Sequence, residues 1–289
     1  MQIGFIGLGN MGAPMARNLA AAGQDVQGFD VTGIAVDGVT PAASAAQAAT
    51  GAEIVFTMLP NGAILRDVAA EVLPAMTGGT FVDCSTVDVD SARTVAADAL
   101  SAGIQPVDAP VSGGIGGAQA GTLTFMAGGT EEGFSTALPL FDIMGQKAVH
   151  CGAAGAGQAA KICNNMILGI SMIGVCEAFA LAEKLELDAQ KMFDVVSTSS
   201  GSCWSVNTYC PVPGVGPKAP SDNDYTPGFA AALMLKDLRL AQEAAASVDA
   251  STPLGTHAAT LYEHFVEADD KGLDFSALLP WLAARADRA

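Results

Sequence analysis

Positive charge is scarce in this chain. Lys and Arg number 13 against 30 Asp and Glu, a formal net charge of −17. A surface so rich in anions repels phosphate backbones and anionic lipids, so neither nucleic-acid nor membrane partners are expected. The same scarcity makes each cation conspicuous. A small anionic substrate needs one of them, or a cluster of backbone N–H groups, as a local attractor. Metal-binding patterns are also lacking. Cys84, Cys151, Cys163, Cys176, Cys203 and Cys210 form no C-x-x-C pair, and no His stands at ligand-like spacing from any of them. This argues against a zinc site and against a secreted disulfide framework, and predicts reduced, mostly buried thiols. Pro, Gly or polar residues interrupt every apolar run, so no bilayer-spanning segment is expected. Gln2–Ile6 follows Met1 with no basic n-region and no Arg-rich presequence. The expectation is a soluble, cytoplasmic protein.

What is present is enough material for one large or two ordinary domains: 289 residues, half of them hydrophobic. The first half alternates short apolar strands (Gln2–Ile6, Asp25–Phe29, Ile54–Met58, Gly79–Asp83, Gln105–Asp108, Thr122–Ala127, Lys147–His150) with helical stretches such as Asn10–Ala22 and Ser91–Ala102. That alternation predicts an α/β domain with a mainly parallel sheet. From about Gly157 to Lys184 runs one long apolar helical pattern. Further helical patterns follow at Ala189–Ser197, Phe229–Ala246, Leu254–Ala268 and Phe275–Arg285, with no convincing strand. The expected division is an α/β domain over residues 1–160 and an all-α domain over 161–289. Cys210–Gly228, rich in Pro and Gly, reads as a long ordered loop of the kind that tends to be functional.

Gly7-Leu8-Gly9-Asn10-Met11-Gly12 fits G-x-G-x-x-G between a strand and a helix. In that context the first Gly permits a tight turn and the second lets backbone approach a pyrophosphate. The third lets helix and strand pack closely, while the helix N-terminus faces the phosphates. Asp30 ends the second strand, 18 residues after Gly12, and no Arg or Lys follows it in Val31-Thr32-Gly33. A carboxylate there can accept from ribose hydroxyls and would repel a 2′-phosphate, so NAD is favoured over NADP; a strand-end turn residue is the plainer alternative. Leu59-Pro60 and Ser85-Thr86 also fall at C-terminal strand ends, where open α/β sheets bind ligands. Either is compatible with an ordinary turn, and Thr86 with a helix N-cap.

Ser112-Gly113-Gly114 follows the strand ending at Asp108. Such a turn can aim consecutive N–H groups and a hydroxyl at one carboxylate, or simply be flexible. Lys161 is the only Lys or Arg between Lys147 and Lys184, and Asn165 lies four residues on, on the same helix face. Oxidising an alcohol by hydride transfer also requires loss of the hydroxyl proton. A lysine carried into an apolar site has its pKa lowered toward a value useful for that work. A lysine at a domain rim, paired with an acid, is the alternative.

Together, Gly4–Gly12, Asp108–Gly114, Gly155-x-Gly-x-x-x-Lys161-x-x-x-Asn165 and Leu235–Leu238 resemble, in order and across nearly the whole chain, the four signatures of the β-hydroxyacid dehydrogenase family. Ser199–Ser205, Tyr209–Val215 and Gly228–Leu238 resemble the branch that acts on 3-hydroxyisobutyrate. The resemblance implies a Rossmann domain followed by an all-helical domain, joined by a helix over about 157–184. It implies Lys161 as catalytic, Ser112, Gly113, Gly114 and Asn165 as substrate-binding, and Gly7–Gly12, Asp30, Leu59, Pro60, Thr86 and Lys236 as cofactor-binding. The implied activity is NAD-dependent oxidation of 3-hydroxyisobutyrate to methylmalonate semialdehyde, a step of valine breakdown, by a homodimer or homotetramer assembled through the helical domain. Tartronate semialdehyde reduction, 4-hydroxybutyrate oxidation and a non-catalytic dinucleotide-binding module are the alternatives. One departure is expected: residues 30–43 look too short for the family's usual helix after the second strand.

Overall fold

A computed structural model describes residues 1–269 and 271–286. The chain divides into two compact units, Met1–Lys161 and the residues from Ile162 on. The first unit is built on one sheet. Strands β1 (Gln2–Ile6), β2 (Asp25–Phe29), β3 (Thr40–Pro41), β4 (Ile54–Thr57), β5 (Thr80–Asp83) and β6 (Gln105–Asp108) run parallel in the order β3-β2-β1-β4-β5-β6. Beyond β6 the sheet continues through β8 (Leu123–Gly129), which pairs antiparallel with both β6 and β7 (Val111–Ser112) and parallel with β9 (Gly145–Gly152).

The two-residue side-chain period of the strands produces two cores. Ile3, Phe5, Ile54, Phe56 and Val82 point to one face and pack with α1 (Gly12–Ala21), α5 (Gly114–Ala120) and α6 (Glu131–Met144). Ile6, Val55 and Phe81 point to the other and pack with α2 (Ala45–Ala49), α3 (Gly62–Val72) and α4 (Val89–Ser101). Phe56 contacts Phe141 edge-on at 6.4 Å, and Phe141 stacks on Phe125 at 4.4 Å, joining β4, α6 and β8. The parallel sheet with helices on both faces is the architecture expected for the first half. β3 and β7 were not expected; at two residues each they are too short to show alternation, and β3 contains Pro41. Residues 30–39 are irregular, and α2 is only five residues long. No full helix follows β2.

The second unit is helical: the greater part of α7 (Ala156–Lys184), then α8 (Ala189–Val196), α9 (Trp204–Asn207), α10 (Ala231–Ser247), α11 (Pro253–Ala268) and α12 (Leu278–Ala286). Helix α7 corrects one expectation. By length and composition it can cross a membrane, with a mean hydropathy of 1.7 over its most apolar window. Isolated polar side chains look like interruptions in the linear sequence, yet they do not break a 29-residue helix. Part of its apolar surface is covered by protein, while Ile167 and Leu181 are exposed. Met172, Ile173 and Cys176 pack with Met234, Leu238, Tyr262 and Phe275, while Val175 and Phe179 pack with Val206, Cys210 and Val215. The cysteines also differ from expectation: Cys84, Cys176 and Cys210 are buried, but Cys151 and Cys203 are half-buried and Cys163 is exposed. All six are free thiols.

The segment 210–228 is ordered by its own polar contacts. Ser221 Oγ donates to Cys210 O at 2.8 Å, and Tyr225 OH to Pro211 O at 2.8 Å. Asp222 accepts from the N–H groups of Ala219 and Gly214, which hold its carboxyl below the usual range. Asp274 is completely buried and ties three segments together. It accepts from Tyr209 OH, from the Gly228 and Phe229 N–H groups, and from both N–H and Oγ–H of Ser276.

Candidate functional site

The chain leaves β1, passes through α1 to β2 and β3 on one side, then returns to β4 on the other. The reversal opens a crevice at the C-terminal ends of β1 and β4, the place where such sheets take ligands. Gly7–Gly12 lines it. Gly7 has φ +92°, and a Cβ there would strike Met58 O; a Cβ on Gly12 would strike Gly7 O. Neither position admits another residue without moving backbone. At Gly9 a Cβ would meet nothing within 4 Å, so the loop leaves open room there. No side chain caps α1, whereas Asn61, Asp88 and Thr130 cap α3, α4 and α6. An open cradle beside uncapped helix N–H groups fits a dinucleotide pyrophosphate.

Asp30 stands at the end of β2. Its Oδ2 accepts the Leu8 N–H at 2.8 Å, while its Oδ1 accepts the N–H and Oγ–H of Thr32. Burial alone would raise this carboxyl; the Thr32 hydroxyl and N–H and the Leu8 N–H outweigh it and hold the pKa below the usual value. The residue therefore is a turn residue, as the plainer reading had it, and also clamps the Gly-rich loop as an ionised carboxylate. Leu59 and Pro60 follow β4, where the Leu59 N–H donates to Ser85 Oγ at 2.7 Å. Ser85 in turn donates to the buried Asp83, which also accepts from Thr57. Thr86 is half-buried in the loop after β5. It is not the N-cap of α4: Asp88 fills that role, accepting from the Ser91 N–H at 2.7 Å.

Ser112 lies in β7, paired with Thr124. Gly113 and Gly114, at φ +134° and +62°, turn the chain directly into α5. The segment is thus a defined turn between a paired strand and a helix. Gly7–Gly12, Asp30, Leu59, Pro60, Thr86 and Ser112–Gly114 all belong to the first unit. All but the last three sit on the C-terminal edge of its parallel strands.

Helix α7 carries Lys161 and Asn165 one turn apart. Lys161 is 6% exposed and Asn165 2%. They belong to a buried stripe, Gln158–Lys161–Asn165–Gly169–Met172–Cys176–Phe179, while Cys163, Asn164 and Ile167 are exposed. In the second unit Asn165 Nδ2 donates to Asp237 Oδ2 at 2.5 Å, and the neighbouring Lys236, half-exposed on α10, lies 3.8 Å from Asp237 Oδ1. Asn165 and Lys236 thus meet through one carboxylate.

The first turn of α7 is held by residues that sequence reasoning passed over. Asp108, at the end of β6, accepts the Gly155 and Gln158 N–H groups at 2.7 and 2.9 Å. Burial, with a smaller push from Asp83, raises its carboxyl to about 6 against these bonds. Asp83, Asp237 and Asp274 were also missed. Their one legible signal was a lone acid inside or beside an apolar run. Among the described residues no cluster of His, Cys, Asp or Glu could hold a metal ion.

Residues 2–152 match the NAD-binding domain of 6-phosphogluconate dehydrogenase as a family. Residues 155–282 match the family described as NAD-binding of NADP-dependent 3-hydroxyisobutyrate dehydrogenase. The chain is 52% identical to a probable 3-hydroxyisobutyrate dehydrogenase of Mycobacterium tuberculosis over 99% of both chains. It is 46% identical to an NAD-dependent L-serine dehydrogenase of Pseudomonas aeruginosa over 96% of both. A solved structure of M. tuberculosis 3-hydroxyisobutyrate dehydrogenase with L-serine superposes with a TM-score of 0.92 at 51% identity, covering 97% of this chain and 98% of that one.

Proposed function

The chain belongs to the β-hydroxyacid dehydrogenase family, among the 3-hydroxyisobutyrate dehydrogenases, and from that premise we propose that it oxidises 3-hydroxyisobutyrate to methylmalonate semialdehyde, a step of valine breakdown, with Lys161 as the proton acceptor. NAD, when bound, supplies the acceptor for the hydride that leaves the CH₂OH carbon. The remaining work falls to the protein. Gly7–Gly12 and Asp30 hold the dinucleotide, with Leu59, Pro60, Thr86 and Lys236 as its further contacts. Ser112, Gly113 and Gly114 receive the substrate carboxylate, and Asn165, oriented by Asp237, keeps the substrate in register. Lys161 takes the hydroxyl proton during oxidation and returns it during reduction.

The observation that carries this reading is the buried pair Lys161 and Asn165. A lysine and a carboxamide on the sunken stripe of an apolar helix bear a desolvation cost that a purely structural position would avoid with Leu or Ala. Oxidation of L-serine is the second reading, favoured by the 46% identical relative of that name. Serine and 3-hydroxyisobutyrate share a CH₂OH carbon next to the carbon bearing the carboxylate, so one proton-transfer site serves both. The exposed apolar side chains Ile167, Leu181, Leu185 and Leu187 support assembly as a homodimer or homotetramer through the helical unit. The enzyme is taken to work in the cytoplasm. Steady-state rates with 3-hydroxyisobutyrate, L-serine, 3-hydroxypropionate and 4-hydroxybutyrate, each with NAD and NADP, test the assignment. The highest kcat/KM is expected for 3-hydroxyisobutyrate with NAD. A higher value for serine would move the assignment to the second reading, and no turnover of any of them would end both.

A further inference from the structure

Gln158 is completely buried on the first turn of α7, three residues before Lys161. Both ends of its carboxamide are used on one short piece of backbone. Its Nε2–H donates to Ser85 O at 2.8 Å, and its Oε1 accepts the Val87 N–H at 3.1 Å. These two groups flank Thr86. The side chain therefore acts as a strand would, pairing a C=O and an N–H two residues apart. Asn is a methylene shorter, Glu lacks the donor, and Met or Leu lacks both groups.

The backbone of Gln158 is fixed as well. Its N–H donates to Asp108 at the end of β6, beside the bond from Gly155. A Cβ at Gly157 would run into the carbonyl oxygens of Met126 and Asp108, so this turn lies directly on the middle of β8 and the end of β6. One residue thus joins the loop after β5 to the end of β6, and Lys161 follows on the next turn of the same rigid helix.

We propose that Gln158 is a positioning residue that sets Thr86, on the cofactor side, in register with Lys161, on the substrate side. The proposal rests on the proton-transfer reading of Lys161. Hydride and proton leave one CH₂OH group together, so the groups serving them must keep a fixed spacing. Misplacement on the order of 1 Å can cost about 100-fold in rate.

The test uses Gln158→Met, which keeps length and volume but makes neither bond, and Gln158→Glu, which keeps the acceptor for Val87 alone. A core control, Phe141→Leu, lowers stability without removing either Gln158 bond. Two readouts are taken: hydrogen exchange at the Val87 amide in cofactor-free protein, and kcat with KM for the hydroxy acid. Gln158→Met should accelerate Val87 exchange and lower kcat by about 10- to 100-fold, with KM within about 3-fold because the carboxylate contacts are untouched. Gln158→Glu should keep more of the Val87 protection and fall between. If Gln158→Met exchanges like wild type at Val87, or loses no more kcat than Phe141→Leu, the positioning role is overturned. Lys161→Ala is run alongside: normal turnover there would sink the proton-transfer reading, an outcome separate from the exchange result at Val87.

Discussion

Asp30 offers the sharpest test of cofactor choice. Replacing it with Ala removes the acceptor of the Leu8 N–H and of both Thr32 donors, along with the carboxylate proposed to hold the ribose diol. A hydrogen bond to a charged group contributes about 1.5–3 kcal/mol, so losing the ribose contact should raise KM for NAD by about 10- to 150-fold. Because the ribose is far from the reacting carbon, ground state and transition state lose the contact equally, and kcat should hardly move. NADP should behave oppositely, since the carboxylate that repels its 2′-phosphate is gone. The ratio of kcat/KM for NAD over NADP should therefore fall at least as steeply as KM rises. Asp30→Asn, which can still accept from Leu8 N–H, should lie between. Asp30 itself keeps its charge into stronger acid than an ordinary carboxyl, so it adds no pH dependence of its own to the wild-type preference near neutrality. The assay is initial-rate kinetics with both cofactors at saturating hydroxy acid. A variant that loses kcat while keeping KM for NAD, or keeps the cofactor ratio, would refute the argument.

Two further outcomes follow from buried carboxylates. Asp274→Ala strands five donors in the second unit, from Tyr209, Gly228, Phe229 and twice from Ser276. The expected cost is about 3–5 kcal/mol, read by urea unfolding; a loss under about 1 kcal/mol would contradict it. Burial pushes the Asp108 carboxyl up to about 6 in the folded chain, against 3.8 for a free carboxyl. The folded state takes up this proton first as pH falls, so the group's stabilising contribution is full below the unfolded value and is lost as pH rises through 6. Wild type should gain about 2 kcal/mol relative to Asp108→Asn between pH 7.5 and pH 4.5, and a pH-independent difference would count against it.

The fold was largely written in local pattern. Five of the six parallel strands announce themselves as short runs bounded by turn residues, and the long helix as one mainly apolar stretch. Strand β3 escaped because two residues carry no period. The membrane-spanning capacity of α7 escaped because single polar residues look like interruptions when the chain is read linearly, although the helix runs through them unbroken. The Gly-rich loop was legible for a physical reason: Gly7 and Gly12 are demanded by backbone oxygens only a few ångströms away. Gln158 and Asp108 were not, since each acts on partners 47–73 residues distant in sequence that only the sheet brings near. Asp274 is hidden in the same way, with acceptor duties reaching back to Tyr209.

The claim on which the rest depends is that Lys161 moves the hydroxyl proton. It is tested most directly by measuring kcat for 3-hydroxyisobutyrate and the dissociation constant of NADH for Lys161→Ala side by side. General acid–base groups contribute about 100- to 10,000-fold, so kcat should fall by that factor while NADH affinity stays within about 3-fold, as the proposed dinucleotide contacts do not include this residue. A variant that turns over near the wild-type rate, or that loses NADH binding in proportion to its activity, would contradict the account.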